Sequence, residues 1–241
     1  MGAERAGPKP PGAAEPVRAP GSFLSRLTSR ERELLLELGT TRPIPAGRQL
    51  LVEGRRDNHV EVIRQGHVKV TSAVGGVPRL LAIRLPGDIV GEFAAFTGNG
   101  RSATVTTCGE VVSTVIRQPD FLRFLGQHPN VANQVTATVG ERLRWANEVR
   151  SEFAAYPVHI RLAHVLGEIA ASCGEVIGGG TLAGVQLSQT ELATLVGAAE
   201  DTVQKALRTL RGLGLIRTGY RRVSVLDAPA LRALADEAAS P

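Results

Sequence analysis

Between Thr41 and Arg117 the chain is written in short β-branched runs, and this texture restricts the fold more than any other feature. The runs are Gln49–Val52, Val60–Arg64, Val68–Ala73, Arg79–Leu85, Ala103–Thr107 and Val111–Ile116. Gly47, Gly54, Gly66, Gly75-Gly76, Gly87 and Gly109 punctuate them. Short strands at regular spacing with glycine turns predict an all-β barrel or jelly roll. Gln65-Gly66 and Val74-Gly75-Gly76 read as hairpin connections.

On either side the pattern is helical. Thr28 and Glu31 have the spacing of a capping box, which opens a helix to about Leu38, and Gly39 ends it. After Pro119 come a short helix over Asp120–Leu125 and a long one from Pro129 to about Ala155. The long helix has no internal proline and spans about 37 Å at 1.5 Å per residue. Val139, Ala146, Val149 and Phe153 fall at a/d-like spacing on it, interrupted by Arg142. The stripe fits a helix packed on a copy of itself, and fits equally a helix lying on its own barrel. Pro157 separates it from a helix over His159 to about Ala171. Two short strands joined by a hairpin fit the glycine-rich residues 174–184.

The expected organisation is α+β. A disordered tail over 1–21, which holds five of the fourteen prolines, precedes a β-roll over 22–127. A long helix over 128–156 and a C-terminal domain over 157–241 follow. In 241 residues no apolar run approaches the ~18 of a membrane span, and the first 21 hold no secretory core, so the expected location is cytoplasmic. Cys108 and Cys173, with five unclustered histidines, make no zinc or iron–sulfur motif, so no metal site is expected. No nucleophile elbow, Walker loop or framed acid pair is present, so no catalytic residue and no enzyme activity are expected.

The stretch Leu187–Arg208 has the frame of a helix-turn-helix. Ser188 and Glu191 make a second capping box. Ala193 is small, as a tight helix crossing needs, and Gly197 stands where the turn needs positive φ. Val203 and Leu207 then face inward, leaving Thr202, Gln204, Lys205 and Arg208 toward a groove. Leu213–Arg217, a turn at Gly219 and Arg222–Leu226 read as a β-hairpin wing. Lys205, Arg208, Arg211, Arg217, Arg221 and Arg222 give six positive charges in eighteen residues with no acid among them. Such a run is by default a solvated helix face; its coincidence with the motif favours phosphate contacts.

Upstream, Gly91-Glu92-Phe93 is followed ten residues after Gly91 by Arg101-Ser102. These residues suit a cyclic phosphate on a ribose. Arg101 offers a donor fork to the anion, Ser102 a hydroxyl, and the helix start near Phe93 its amides. Glu92 can accept from a ribose hydroxyl, and Gly91 lets the backbone approach the sugar. Taken singly, Glu92 and Arg101 could instead form a surface ion pair.

A β-roll, one long helix and a winged helix-turn-helix, in that order over about residues 23–227, resemble the Crp/Fnr family of bacterial transcription regulators. The resemblance implies that Gly91, Glu92, Phe93, Arg101, Ser102, Arg142, Ala146 and Asn147 surround a cyclic nucleotide, with cyclic AMP the default and cyclic GMP open. Ala146 stands where the family's cyclic-AMP receptors carry an adenine-contacting Thr; Asn147 is the next position and retains hydrogen-bonding capacity, which it could exert from the second subunit. Trp145 could stack on a base or pack a dimer. The resemblance also implies a homodimer on a pseudo-palindromic DNA site, with the long helix over 128–156 as the dimerisation helix and RNA polymerase as a further partner. Ser188, Gln189, Glu200, Asp201, Thr202, Gln204, Lys205, Arg208, Arg221 and Arg222 would then face DNA. Where many members read base edges with an Arg and a Glu, this chain has Glu200 and Asp201. A second reading is a regulator with a vestigial pocket that binds DNA without an effector.

Overall fold

The computed structural model describes residues 21–177, 180–183, 187–219 and 222–239. The expected tail, except Gly21, and Arg221 lie outside them, as do the side chains of Val149, Phe153 and Cys173.

A 3₁₀ turn over Phe23–Arg26 leads into α1 (Ser29–Glu37). Thr28 caps α1 reciprocally with Glu31, as its sequence predicts. Gly39 does not adopt a left-handed cap; instead the backbone passes so close to Thr114–Ile116 that a Cβ has no room.

The β-roll consists of two four-stranded antiparallel sheets. One has the order β1 (Thr40–Ile44), β8 (Val111–Ile116), β3 (Val60–Gln65), β6 (Ile89–Val90). The other has the order β2 (Gln49–Leu51), β7 (Thr104–Thr107), β4 (Val68–Val74), β5 (Val77–Arg84). All the predicted strands are present. One connection differs: β3 and β4 lie in different sheets, so Gln65-Gly66 is a crossing and not a hairpin turn. Gly75-Gly76 does close a hairpin, with Val74 opposite Val77.

Between β6 and β7 lies α2 (Glu92–Thr97), and after β8 come α3 (Gln118–Gln127) and α4 (Pro129–Ala155). Val131 and Val135 of α4 are fully buried in the roll's core with Phe121 and Leu35. Arg26 forks onto Glu141 at 2.8 and 2.6 Å. The first half of α4 therefore lies on its own roll. Arg142 interrupts the apolar stripe because it reaches back to the roll.

The C-terminal part contains α5 (Val158–Cys173), β9 (Gly174–Ile177), β10 (Gly180–Ala183), α6 (Gln189–Val196) and α7 (Glu200–Gly212), then β11 (Ile216–Gly219), β12 (Arg222–Val225) and α8 (Ala228–Ala239). β9 and β10 form the expected hairpin and join the wing in one sheet, β11-β12-β10-β9. The two halves are in contact. Leu80 of β5 is buried in the core of the C-terminal part, its amide donates to the Thr194 hydroxyl at 3.1 Å, and Lys69 of β4 pairs with Glu191 of α6 at 2.6 Å. No helix among the described residues is long and apolar enough to cross a membrane.

Candidate functional site

Gly91 follows β6 in the left-handed region, at φ +86°. A Cβ there would sit 2.6 Å from Arg101 Nη1 and 2.9 Å from the His59 carbonyl. The glycine thus seats the arginine as well as turning the chain. Arg101 is buried. Its Nε donates to Asp57, Nη1 to the Gly91 carbonyl at 3.1 Å and Nη2 to the His59 carbonyl at 2.8 Å. The expectation of an open fork is corrected: much of its donor set is already engaged, and Asp57 balances its charge. Nor do Glu92 and Arg101 pair with each other.

Glu92 is buried at the start of α2 and accepts from Arg142 Nη1 at 2.6 Å. Arg142 Nη2 donates to the Ile89 carbonyl at 2.7 Å. One side chain of α4 thereby ties the helix to β6 and α2 together. The cavity beneath has a volume of about 470 Å³. Gly91, Glu92, Phe93, Arg101, Ser102, Arg142 and Ala146 all line it, with Val70, Leu81 and Arg84 from the hairpin and Val139 and Leu143 from α4. Asn147 does not line it. Trp145 is not among the residues that line this cavity; it stacks edge-on against His164 of α5, with ring centroids 5.5 Å apart. Asp57, His59 and Arg84 were not singled out from the sequence. Their signal is weak because they are distant in sequence: Asp57 and His59, in the loop between β2 and β3, are 44 and 42 positions from Arg101, and Arg84 ends β5.

Beside the site, Glu61 is fully buried in β3. Burial alone would raise its carboxyl, but hydrogen bonds from His59 and Ser113 and the charge of Arg42 hold it below its ordinary value. Burial pushes the Cys108 thiol up to about 11, which disfavours its thiolate. Among the described residues no group of His, Cys, Asp and Glu could hold a metal ion.

The helix-turn-helix is built as its sequence predicts. Ser188 caps α6 reciprocally with Glu191, and Gly197 adopts φ +62°. Ala193, Val203 and Leu207 are buried. Ala199 gives α7 no side-chain cap. Glu200 accepts from the Thr190 hydroxyl at 2.7 Å, so it ties the two helices together. Arg161 of α5, unremarked in the sequence, donates to the Val196 carbonyl at 2.7 Å and closes the end of α6. Asp201, Thr202, Gln204, Lys205 and Arg208 are exposed along α7. Ser188, Gln189 and Arg222 meet in a groove between the start of α6 and the wing.

Comparison with known proteins agrees with this architecture. Residues 41–128 match the cyclic nucleotide-binding domain family and residues 160–234 the Crp-like helix-turn-helix domain family. A CRP-like cAMP-activated global transcriptional regulator of Mycobacterium tuberculosis is 30% identical over 188 residues, covering 78% of this chain and 84% of that protein. The chain belongs to the Crp/Fnr family. The Cyclic AMP receptor protein of Thermus thermophilus is 27% identical over 210 residues, covering 87% of this chain and 94% of that one. Among solved structures, the c-di-GMP responsive global regulator of Xanthomonas campestris superposes with a TM-score of 0.70 at 18% identity, covering 83% of this chain and all of that one, which is a likeness of fold. As a Crp/Fnr protein the chain is a transcription regulator with a cyclic nucleotide-binding domain and a DNA-binding domain.

Proposed function

We propose that the chain is a dimeric, effector-controlled DNA-binding regulator whose effector is a cyclic nucleotide seated between the β-roll and α4. The observation that carries this is the Arg142–Glu92 tie across a cavity floored by Gly91 and Arg101. The helix that would carry the dimer contact is thus a wall of the ligand site. Arg101 and Ser102 meet the cyclic phosphate and Glu92 the ribose, so the phosphate must share Arg101 with Asp57 and two backbone carbonyls. A ligand acts only by binding one arrangement of the recognition helices more tightly than another.

In support of the DNA half, α7 and the wing expose Gln204, Lys205, Arg208, Arg211, Arg217 and Arg222 without an interposed acid. Two such surfaces related by a dimer axis fit a pseudo-palindromic site about one DNA turn between half-sites. Domain boundaries at 22–127, 128–156 and 157–241, a contact with RNA polymerase and a cytoplasmic location belong to the same reading. The effector-independent alternative draws support from the engaged donors of Arg101.

Calorimetric titration with cyclic nucleotides, with Arg101→Ala as control, tests the proposal. Saturable binding abolished in the variant supports it. Absence of binding, together with a specific gel shift in nucleotide-free protein, favours the alternative.

A further inference from the structure

Two sets of elements line the cavity. α2 and the segment after it supply Glu92, Arg101 and Ser102, whose polar groups answer a phosphate or a sugar hydroxyl. The β4–β5 hairpin and α4 supply the apolar Val70, Leu81, Val139, Leu143 and Ala146, together with Arg84 and with Arg142, which is tied to Glu92. Arg84 is the last residue of β5, where the hairpin meets α4, and it lines three adjoining cavities. Its Nη1 donates to the carbonyl of Ile83, its own neighbour, at 3.3 Å. Among the described residues no carboxylate lies within 4.0 Å of it, whereas Arg101 and Arg142 in the same cavity are paired with Asp57 and Glu92. Burial and the neighbouring Arg142 push Arg84 down to about 10, against the opposing charges of Asp88 and Glu92.

A guanidinium only donates. Adenine presents on its outer edge one acceptor, N7, and one donor, the 6-amine. The amine would meet Arg84 donor to donor. Guanine presents two acceptors on that edge, O6 and N7, spaced for an arginine fork. We propose that Arg84 is the base-reading residue of this pocket and selects a guanine-type base, so that cyclic GMP is the better ligand of the two common cyclic nucleotides. This rests on the nucleotide pocket proposed above.

The test is calorimetry on the full chain with three nucleotides: cyclic AMP, cyclic GMP and cyclic IMP. Cyclic IMP keeps O6 and N7 and lacks the 2-amine, so it isolates the edge in question. The expected result is that cyclic GMP and cyclic IMP bind about tenfold or more tighter than cyclic AMP, the scale of one bidentate contact. Arg84→Leu is expected to bring that ratio close to one, and Arg84→Lys to retain part of it. The ratio is the readout because a merely structural role would weaken all three ligands together. Cyclic AMP binding as well as or better than cyclic GMP in the wild-type chain overturns the proposal, whether or not the leucine variant folds. So does an unchanged ratio in a folded Arg84→Leu variant, and in both cases the nucleotide pocket stands. If no nucleotide binds the wild-type chain, the pocket reading and this one fall together.

Discussion

At the scale of single residues, the site depends on one glycine and two arginines. Gly91→Ala places a side chain at φ +86° and against Arg101, and is expected to destabilise the chain by about 1–3 kcal/mol in urea unfolding. Arg142→Met strands the buried Glu92 carboxylate, so a loss of roughly 2–4 kcal/mol and a tenfold or greater loss of nucleotide affinity are expected. Glu61 carries a pH dependence. Its carboxyl in the folded chain lies below its ordinary 4.5, so the stability it confers is complete above that value and is lost as pH falls through the folded value. Unfolding midpoints measured from about pH 5 to about pH 3 should therefore fall more steeply for the wild-type chain than for Glu61→Gln. Gly91-Glu92 and Arg101-Ser102 were legible in the sequence because each pair is contiguous and each residue type has one obvious chemistry. The partners were not legible. Asp57 neutralises Arg101 and Arg142 neutralises Glu92 across loops whose approach only the folded roll defines.

At the scale of elements, α7 is the weak start in a well-capped motif. Ala199→Ser supplies the missing side-chain acceptor and should raise thermal stability by about 1 kcal/mol. Helices with paired caps, α1 and α6, were read from sequence close to their true ends because a capping box is a local code. Strands carry less local information. β1 contains Pro43, which reads against a strand, yet β1 is an edge of its sheet, where a missing N–H costs no ladder bond. β6 has two residues, too few for any period. The crossing at Gly66 was misread as a hairpin because a glycine turn looks the same whether the next strand pairs or passes to the facing sheet. α8 went unread, although its signal was present: the Asp227 side chain accepts from the Ala230 amide at 2.9 Å, and Leu231 is fully buried.

At the scale of the molecule, the proposed DNA surface predicts a strong salt dependence. The logarithm of affinity should fall with the logarithm of salt concentration by about 0.9 per phosphate engaged. Arg222→Ala should lower that slope by about one in filter-binding titrations, weakening all sequences alike. The order of domains was legible because the hydrophobic period changes twice along the chain. How the two halves meet was not, since Lys69 and Glu191 are 122 positions apart.

That meeting has a mechanical consequence. The β4–β5 hairpin serves two neighbours at once. Val70, Leu81 and Arg84 wall the cavity, while Leu80 and Lys69 grip α6. The same hairpin that walls the chamber therefore also holds the first helix of the DNA-reading unit, through a backbone hydrogen bond to Thr194 and an ion pair to Glu191. A close-packed strand that is held on both faces passes a displacement on where a loop would absorb it.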